Sequence, residues 1–129
     1  MKNILFVCIE NSNRSQIAQA FATMYGGSDV MAYSAGSRPS GKVNPKAVAA
    51  MKEFDYDLTT HTSKSLDDLP AITFDYAITM GCGDACPLVQ ASHRLDWSIP
   101  DPRDMDEEAY WQVIDMIGEK VKGVIEQLQ

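Results

Sequence analysis

Residues 3–7, NILFV, form a continuous apolar run that ends abruptly in the polar stretch CIENSNRS of residues 8–15. A short run without polar alternation is the pattern of a strand buried on both faces, and such strands belong to parallel sheets covered by helices. The next residues favour that reading. Ile17, Phe21 and Met24 recur at helical spacing, and Gly26 and Gly27 end the pattern before residues 30–34 read as a second strand. The opening third of the chain is therefore a strand, a polar turn, a helix and a strand.

The remainder repeats the alternation. Asn44 followed by Pro45 marks a helix start, with Ala47, Met51 and Phe54 as its buried stripe, and Ser63 is placed to cap a short helix ending at Pro70. Residues 74–80 read as a third strand, and the more polar residues 93–97 as a fourth suited to a sheet edge. From about Asp106, Tyr110, Ile114, Ile117, Val121, Val124 and Leu128 repeat at three and four residues, which describes one long amphipathic helix packed on the sheet. The fold class is α/β, a parallel sheet with helices on both faces, and ligands in such folds sit at the carboxyl ends of the strands.

With 129 residues, 45% of them hydrophobic, the chain can bury about two-thirds of its unfolded surface and is expected to form one domain over residues 1–129. The apolar run at the start is too short for a secretion signal or a membrane span, so a cytoplasmic location and no membrane partner are expected. A net charge of −7 argues against a nucleic-acid partner, which draws on clustered positive charge. In a reducing compartment, three cysteines are expected to be free, catalytic or metal-binding rather than a structural disulfide framework.

The chemistry concentrates in residues 8–15. A loop between a strand and a helix can wrap a tetrahedral oxyanion with successive backbone N–H groups, here from Ile9, Glu10, Asn11, Ser12, Asn13 and Arg14, while the helix start adds its positive dipole end. Arg14 supplies a planar fork matched to two oxyanion oxygens. The same field favours the thiolate of Cys8, which Ser15 is placed to hydrogen-bond, and Asn11 tolerates the left-handed backbone that a tight cradle demands. The bland reading is that Cys8 is a small buried hydrophobe ending a core strand. It leaves unexplained why an arginine opens the next helix.

This loop resembles the phosphate-binding loop of the low-molecular-weight tyrosine phosphatase family, and residues 8–21, CIENSNRSQIAQAF, are most similar to the arsenate reductases of that fold. The similarity continues at Tyr33-Ser34-Ala35-Gly36, at His61-Thr62-Ser63, at Thr79-Met80-Gly81-Cys82 and from Asp96-Trp97 to Asp101-Pro102. It implies a four-stranded parallel sheet with helices on both sides, Cys8 as nucleophile, Arg14 as oxyanion clamp and Asp101 as general acid. Read without the family, Asp101-Pro102 is a turn that keeps the aspartate out of a helical conformation. Members of this type that hold a potassium ion do so with an acidic side chain matching Gln19, with Asn11 and Ser34 at further ligand positions; the amide lacks that charge, and no metal or cofactor is expected.

Cys82 and Cys86 follow the third strand, on the same sheet edge as the Cys8 loop. The resemblance implies a relay: Cys8 attacks arsenate, Cys82 resolves the adduct into a Cys8–Cys82 disulfide, and Cys86 takes over Cys82 for reduction by thioredoxin or another thiol. Two other readings stay open, inert core cysteines or a metal shared with His61 or His93. Two other functions stay open as well. A tyrosine phosphatase would place aromatic residues after Asp-Pro, where Arg103-Asp104 stand here, and an oxyanion-binding or redox-sensing protein would need no turnover.

Overall fold

The computed structural model describes residues 2–80, 90–102 and 104–128. Four strands, β1 (Lys2–Cys8), β2 (Val30–Gly36), β3 (Phe74–Thr79) and β4 (Ala91–Asp96), form one sheet in the order β2-β1-β3-β4. Every neighbouring pair is parallel. The chain steps from β1 out to β2, crosses back over β1 to β3, and then moves outward to β4. That reversal makes the carboxyl ends of β1 and β3 the switch point where parallel sheets open a crevice for ligands.

β1 is buried on both faces, as its unbroken apolar run requires. Ile4, Phe6 and Cys8 join the main core with residues of α1 (Arg14–Gly26), α2 (Pro45–Lys52) and α3 (Glu107–Leu128), while Leu5 and Val7 join a smaller cluster with Ala35 and Phe74. The smaller cluster is covered by Leu66, Leu69 and Ile72, around the 3-10 helix Leu66–Asp68. Complete burial of Ile4, Leu5 and Phe6 contributes about 1.5–3 kcal/mol for each side chain. β4 lies at the sheet edge and is largely exposed, in keeping with its polar sequence.

The helix signals translate into caps and stripes. Asn44 Oδ1 accepts from the amide of Lys46 at 2.8 Å, with Pro45 at the first helical position of α2. Asp106 does the same for α3, accepting from the Ala109 amide at 2.9 Å. Along α3, Tyr110, Ile114, Ile117, Val121 and Val124 are buried as spaced. Among the described residues, no helix is long and apolar enough to cross a membrane.

Two local expectations are corrected. Phe54 lies past the end of α2 and is 39% exposed, although its ring meets Phe21 edge-on at 5.2 Å. The chain turns there, with Asp55 at a φ of 59°. The 3-10 helix is capped by Ser65, not Ser63, through a reciprocal box with Asp68. Ser65 bridges to Gly36 and the Lys64 carbonyl accepts from the Gly36 amide, so this stretch runs extended beside β2 and Ser63 turns to the loop after β1.

Gly26 allows α1 to end against β2, since a Cβ built there would lie 2.5 Å from Val30 Cβ. Alanine ordinarily gains about 1 kcal/mol over glycine within a helix, whereas overpacking a closed contact costs about 1–3 kcal/mol. Gly26→Ala should therefore lower the midpoint of a denaturant melt. Val30→Gly introduced with it removes the atoms that clash, Cβ included, so the pair should cost less than the two single changes added together; a stabilised Gly26→Ala protein would contradict the packing argument.

Candidate active site

Residues 9–13 leave β1 and curl into the start of α1, and every carbonyl of this loop is held from outside. Ile9 O accepts from the Arg38 amide at 2.8 Å, Glu10 O from the Ser40 amide and from Ser63 Oγ at 3.0 Å each, and Ser12 O from the Asn44 amide at 2.8 Å. Asn11 O accepts from Gln16 Nε2 and Asn13 O from the Ile17 amide, both at 3.0 Å. In a trans peptide the carbonyl of one residue and the N–H of the next point in opposite directions. Tying five carbonyls outward therefore turns the N–H groups of Glu10, Asn11, Ser12, Asn13 and Arg14 toward the loop's interior. Asn11, at a φ of 48°, makes the tight turn that this curl requires.

Gly36 lets the loop close. A Cβ there would lie 2.5 Å from Ile9 O and 2.8 Å from the Asn11 amide nitrogen, so only a glycine at the end of β2 lets the loop backbone pass this near.

Cys8, Ile9, Glu10, Ser12, Asn13, Arg14, Asn44 and Asp101 line a cavity of about 100 Å³ at this point. Cys8 is 3% exposed and its Sγ lies 2.8 Å from Ser15 Oγ. When the sulfur is a thiolate, Ser15 must be the donor. Arg14 is 8% exposed, and its Nη1 donates to the carbonyls of Met80 at 2.6 Å and Ile99 at 2.8 Å. One guanidinium nitrogen thus fastens the arginine to the end of β3 and to the segment after β4. Asp101 reaches the same cavity beside the buried Pro102. Among the described lining residues none is aromatic. Cys82, Cys86 and Arg103 lie outside the described residues.

The structure also ties Asn11 and Ser15 to side chains that the sequence did not single out, Gln16 and Tyr56 among them. Asn11 Nδ2 donates to Ser15 Oγ at 2.9 Å, and Asn11 Oδ1 accepts from Gln16 Nε2 at 3.0 Å and from the Lys64 amide at 2.8 Å. Gln16 Nε2 also donates to the Thr62 carbonyl, so its Oε1 is the acceptor for His61 Nδ1–H at 2.8 Å. His61 Nε2 then accepts from the Tyr56 hydroxyl at 2.6 Å. Both ring nitrogens of His61, a candidate metal ligand by sequence, are thus engaged in side-chain hydrogen bonds. His93 stacks on Tyr76 instead. Ser34 Oγ donates to Gln19 Oε1, so these two side chains satisfy each other. No group of three or more potential metal ligands occurs among the described residues.

Burial, followed by the nearby charge of Lys64, lowers the His61 pKa from 6.5 to about 4. The folded state thus keeps this ring neutral while the unfolded chain protonates it at its ordinary value. Stability from this group is complete above pH 6.5 and is lost as pH falls toward about 4. Urea melts between neutrality and that lower limit should show a downward slope that His61→Gln reduces; parallel profiles for the two proteins would remove His61 as its source.

Comparison with known proteins agrees with this geometry. The model of the low molecular weight phosphotyrosine protein phosphatase family matches residues 3–129. The chain is 38% identical over 125 residues to arsenate reductase 2 of Staphylococcus saprophyticus, covering 94% of each protein. It is 33% identical over 128 residues to the glutaredoxin arsenate reductase of Synechocystis, covering 97% of each. A solved structure of an arsenate reductase in the phosphate binding state superposes with a TM-score of 0.91 at 32% identity, over the whole of both chains. By sequence, fold and loop architecture together, this chain belongs to the low molecular weight phosphotyrosine protein phosphatase family.

Proposed function

We propose that this protein is an arsenate reductase in which Cys8 is the nucleophile. The observation that carries the reading is the cradle itself: loop amides turned inward over a buried cysteine sulfur that Ser15 can hydrogen-bond. The names of its relatives supply the substrate. A cavity of about 100 Å³ without an aromatic side chain among its described lining residues favours a small tetrahedral oxyanion over an aryl phosphate.

In the proposed reaction the arsenate oxygens are held by the loop amides and by Arg14. Cys8 thiolate attacks arsenic while Asp101 protonates the departing oxygen, which leaves as water; such proton donation contributes on the order of 10² to 10⁴ in rate. Ser15 Oγ–H stabilises the sulfur anion before attack. Cys82 thiolate then attacks Cys8 Sγ, and the electron pair of the sulfur–arsenic bond passes to arsenic, which departs as arsenite. Cys86 displaces Cys8 from the resulting Cys8–Cys82 disulfide, and an external thiol reductant, thioredoxin or another dithiol, reduces Cys82–Cys86. A cycle that restarts from free thiols belongs in a reducing compartment, the cytoplasm.

The test measures arsenate-dependent thiol oxidation with a thioredoxin system and with a glutathione–glutaredoxin system, beside hydrolysis of an aryl phosphate. Arsenate reduction should be supported by one of the two donors, and aryl phosphate turnover should be weak. Efficient hydrolysis of phosphotyrosine peptides with no arsenate reduction under either donor would reverse the assignment to phosphatase. Cys8 should be alkylated faster near neutral pH than an ordinary exposed thiol, and inorganic phosphate should protect it.

The order of the relay is testable separately. Cys86→Ser should allow one turnover and trap a Cys8–Cys82 disulfide, whereas Cys82→Ser should block that step. Peptide mapping after one equivalent of arsenate separates these outcomes. A Cys8–Cys86 bond as the main product would reverse the order.

A further inference from the structure

Asn13 stands immediately before Arg14, at the N-terminal boundary of α1, where an asparagine ordinarily turns its amide oxygen onto the first helical N–H groups. It makes no such bond. Its Oδ1 is instead held by the hydroxyl of Tyr110, which reaches across from α3 and donates at 2.6 Å. Both residues are buried, Asn13 at 8% and Tyr110 at 4% exposure. The amide Nδ2 is buried as well and has no hydrogen-bond partner among the described residues. This orientation does not satisfy the asparagine, because a buried donor without an acceptor is costly.

The orphaned nitrogen and the cavity belong together. Asn13 lines the oxyanion cavity, whereas Tyr110 lines the separate groove between α2 and α3. With the oxygen pinned to Tyr110, the donor end of the amide is the end left for the cavity's occupant. The reverse orientation would turn a partial negative charge toward an anion in the cavity. Burial pushes the Tyr110 hydroxyl above its ordinary range, which keeps it protonated and a donor. The position of Lys46 Nζ, 5.6 Å from the Tyr110 ring centroid, adds a cation–π contact on the α2 side.

We propose that Tyr110 is a positioning residue for oxyanion binding: its hydroxyl fixes the polarity of the Asn13 amide, so that Nδ2–H donates to an oxyanion oxygen. The inference rests on the oxyanion reading of the Cys8 cavity and adds a side-chain donor to the backbone cradle. Tyr110 touches no ligand and acts only through Asn13.

A double-mutant cycle with inorganic phosphate as the probe tests this. Dissociation constants would be measured by calorimetry and by protection of Cys8 from alkylation, for the unsubstituted protein, Tyr110→Phe, Asn13→Ala and the double variant. Tyr110→Phe should weaken phosphate binding about tenfold, the scale of one oriented hydrogen bond to a charged ligand, and raise the KM for arsenate with little change in kcat. Asn13→Ala should weaken binding comparably, and the double variant should bind no more weakly than Asn13→Ala. A merely structural tyrosine would cost the same factor whether or not Asn13 is present, and that additivity would overturn the proposal. Unchanged phosphate affinity in Tyr110→Phe would overturn it too. Absence of phosphate and arsenate binding by the unsubstituted protein would overturn the oxyanion reading itself and this inference with it.

Discussion

The site depends on the outward tethering of five consecutive loop carbonyls, from Ile9 to Asn13. Because peptide N–H and C=O groups point in opposite directions, an anion cradle cannot be built from inside alone. Something must hold the carbonyls, or the loop would turn them inward against the anion. Residues 38–44 supply three of the tethers through backbone amides, and Ser63 and Gln16 supply two more from side chains. These supports come from a loop, an extended segment beside β2 and the first turn of α1, so the cradle is a property of the assembled fold.

A second layer fixes which polar atom faces which. From Tyr56 through His61, Gln16, Asn11 and Ser15, each donor is assigned by the acceptor beyond it, and the last hydroxyl faces Cys8 Sγ. A neutral His61 is what allows one ring nitrogen to accept while the other donates. Burial keeps it neutral through the physiological range. The inner members Gln16, Asn11 and Ser15 are fully buried, where amides and hydroxyls have no water to exchange with, so the order of donors there is fixed.

Arg14 joins the cradle to the sheet. By donating Nη1 to the carbonyls of Met80 and Ile99, it secures itself at the carboxyl ends of two strands. Those carbonyls belong to residues whose own amides already pair elsewhere, Met80 with Val7 and Ile99 with Trp97. A guanidinium suits this task better than an ammonium, since its planar donors serve two directions at once.

The strand and helix order, the long terminal helix and the polar loop that starts α1 were all legible in the chain, because burial imposes periodicities on apolar residues and a loop motif is local in sequence. Cys8, Arg14, Asn11 and Ser15 could be singled out for the same reason: they lie within eight consecutive residues. The roles of His61, Gly36 and Tyr110 could not. Gly36 appears as one more small residue until the loop passes 2.5 Å from where its side chain would be, and Tyr110 looks like any apolar position of an amphipathic helix. Its hydroxyl meets Asn13 across 97 residues of sequence. Local chemistry is written in neighbouring residues, whereas the partner of a buried polar atom is chosen by whichever distant segment the packed core brings within about 3 Å, and only the tertiary structure decides that.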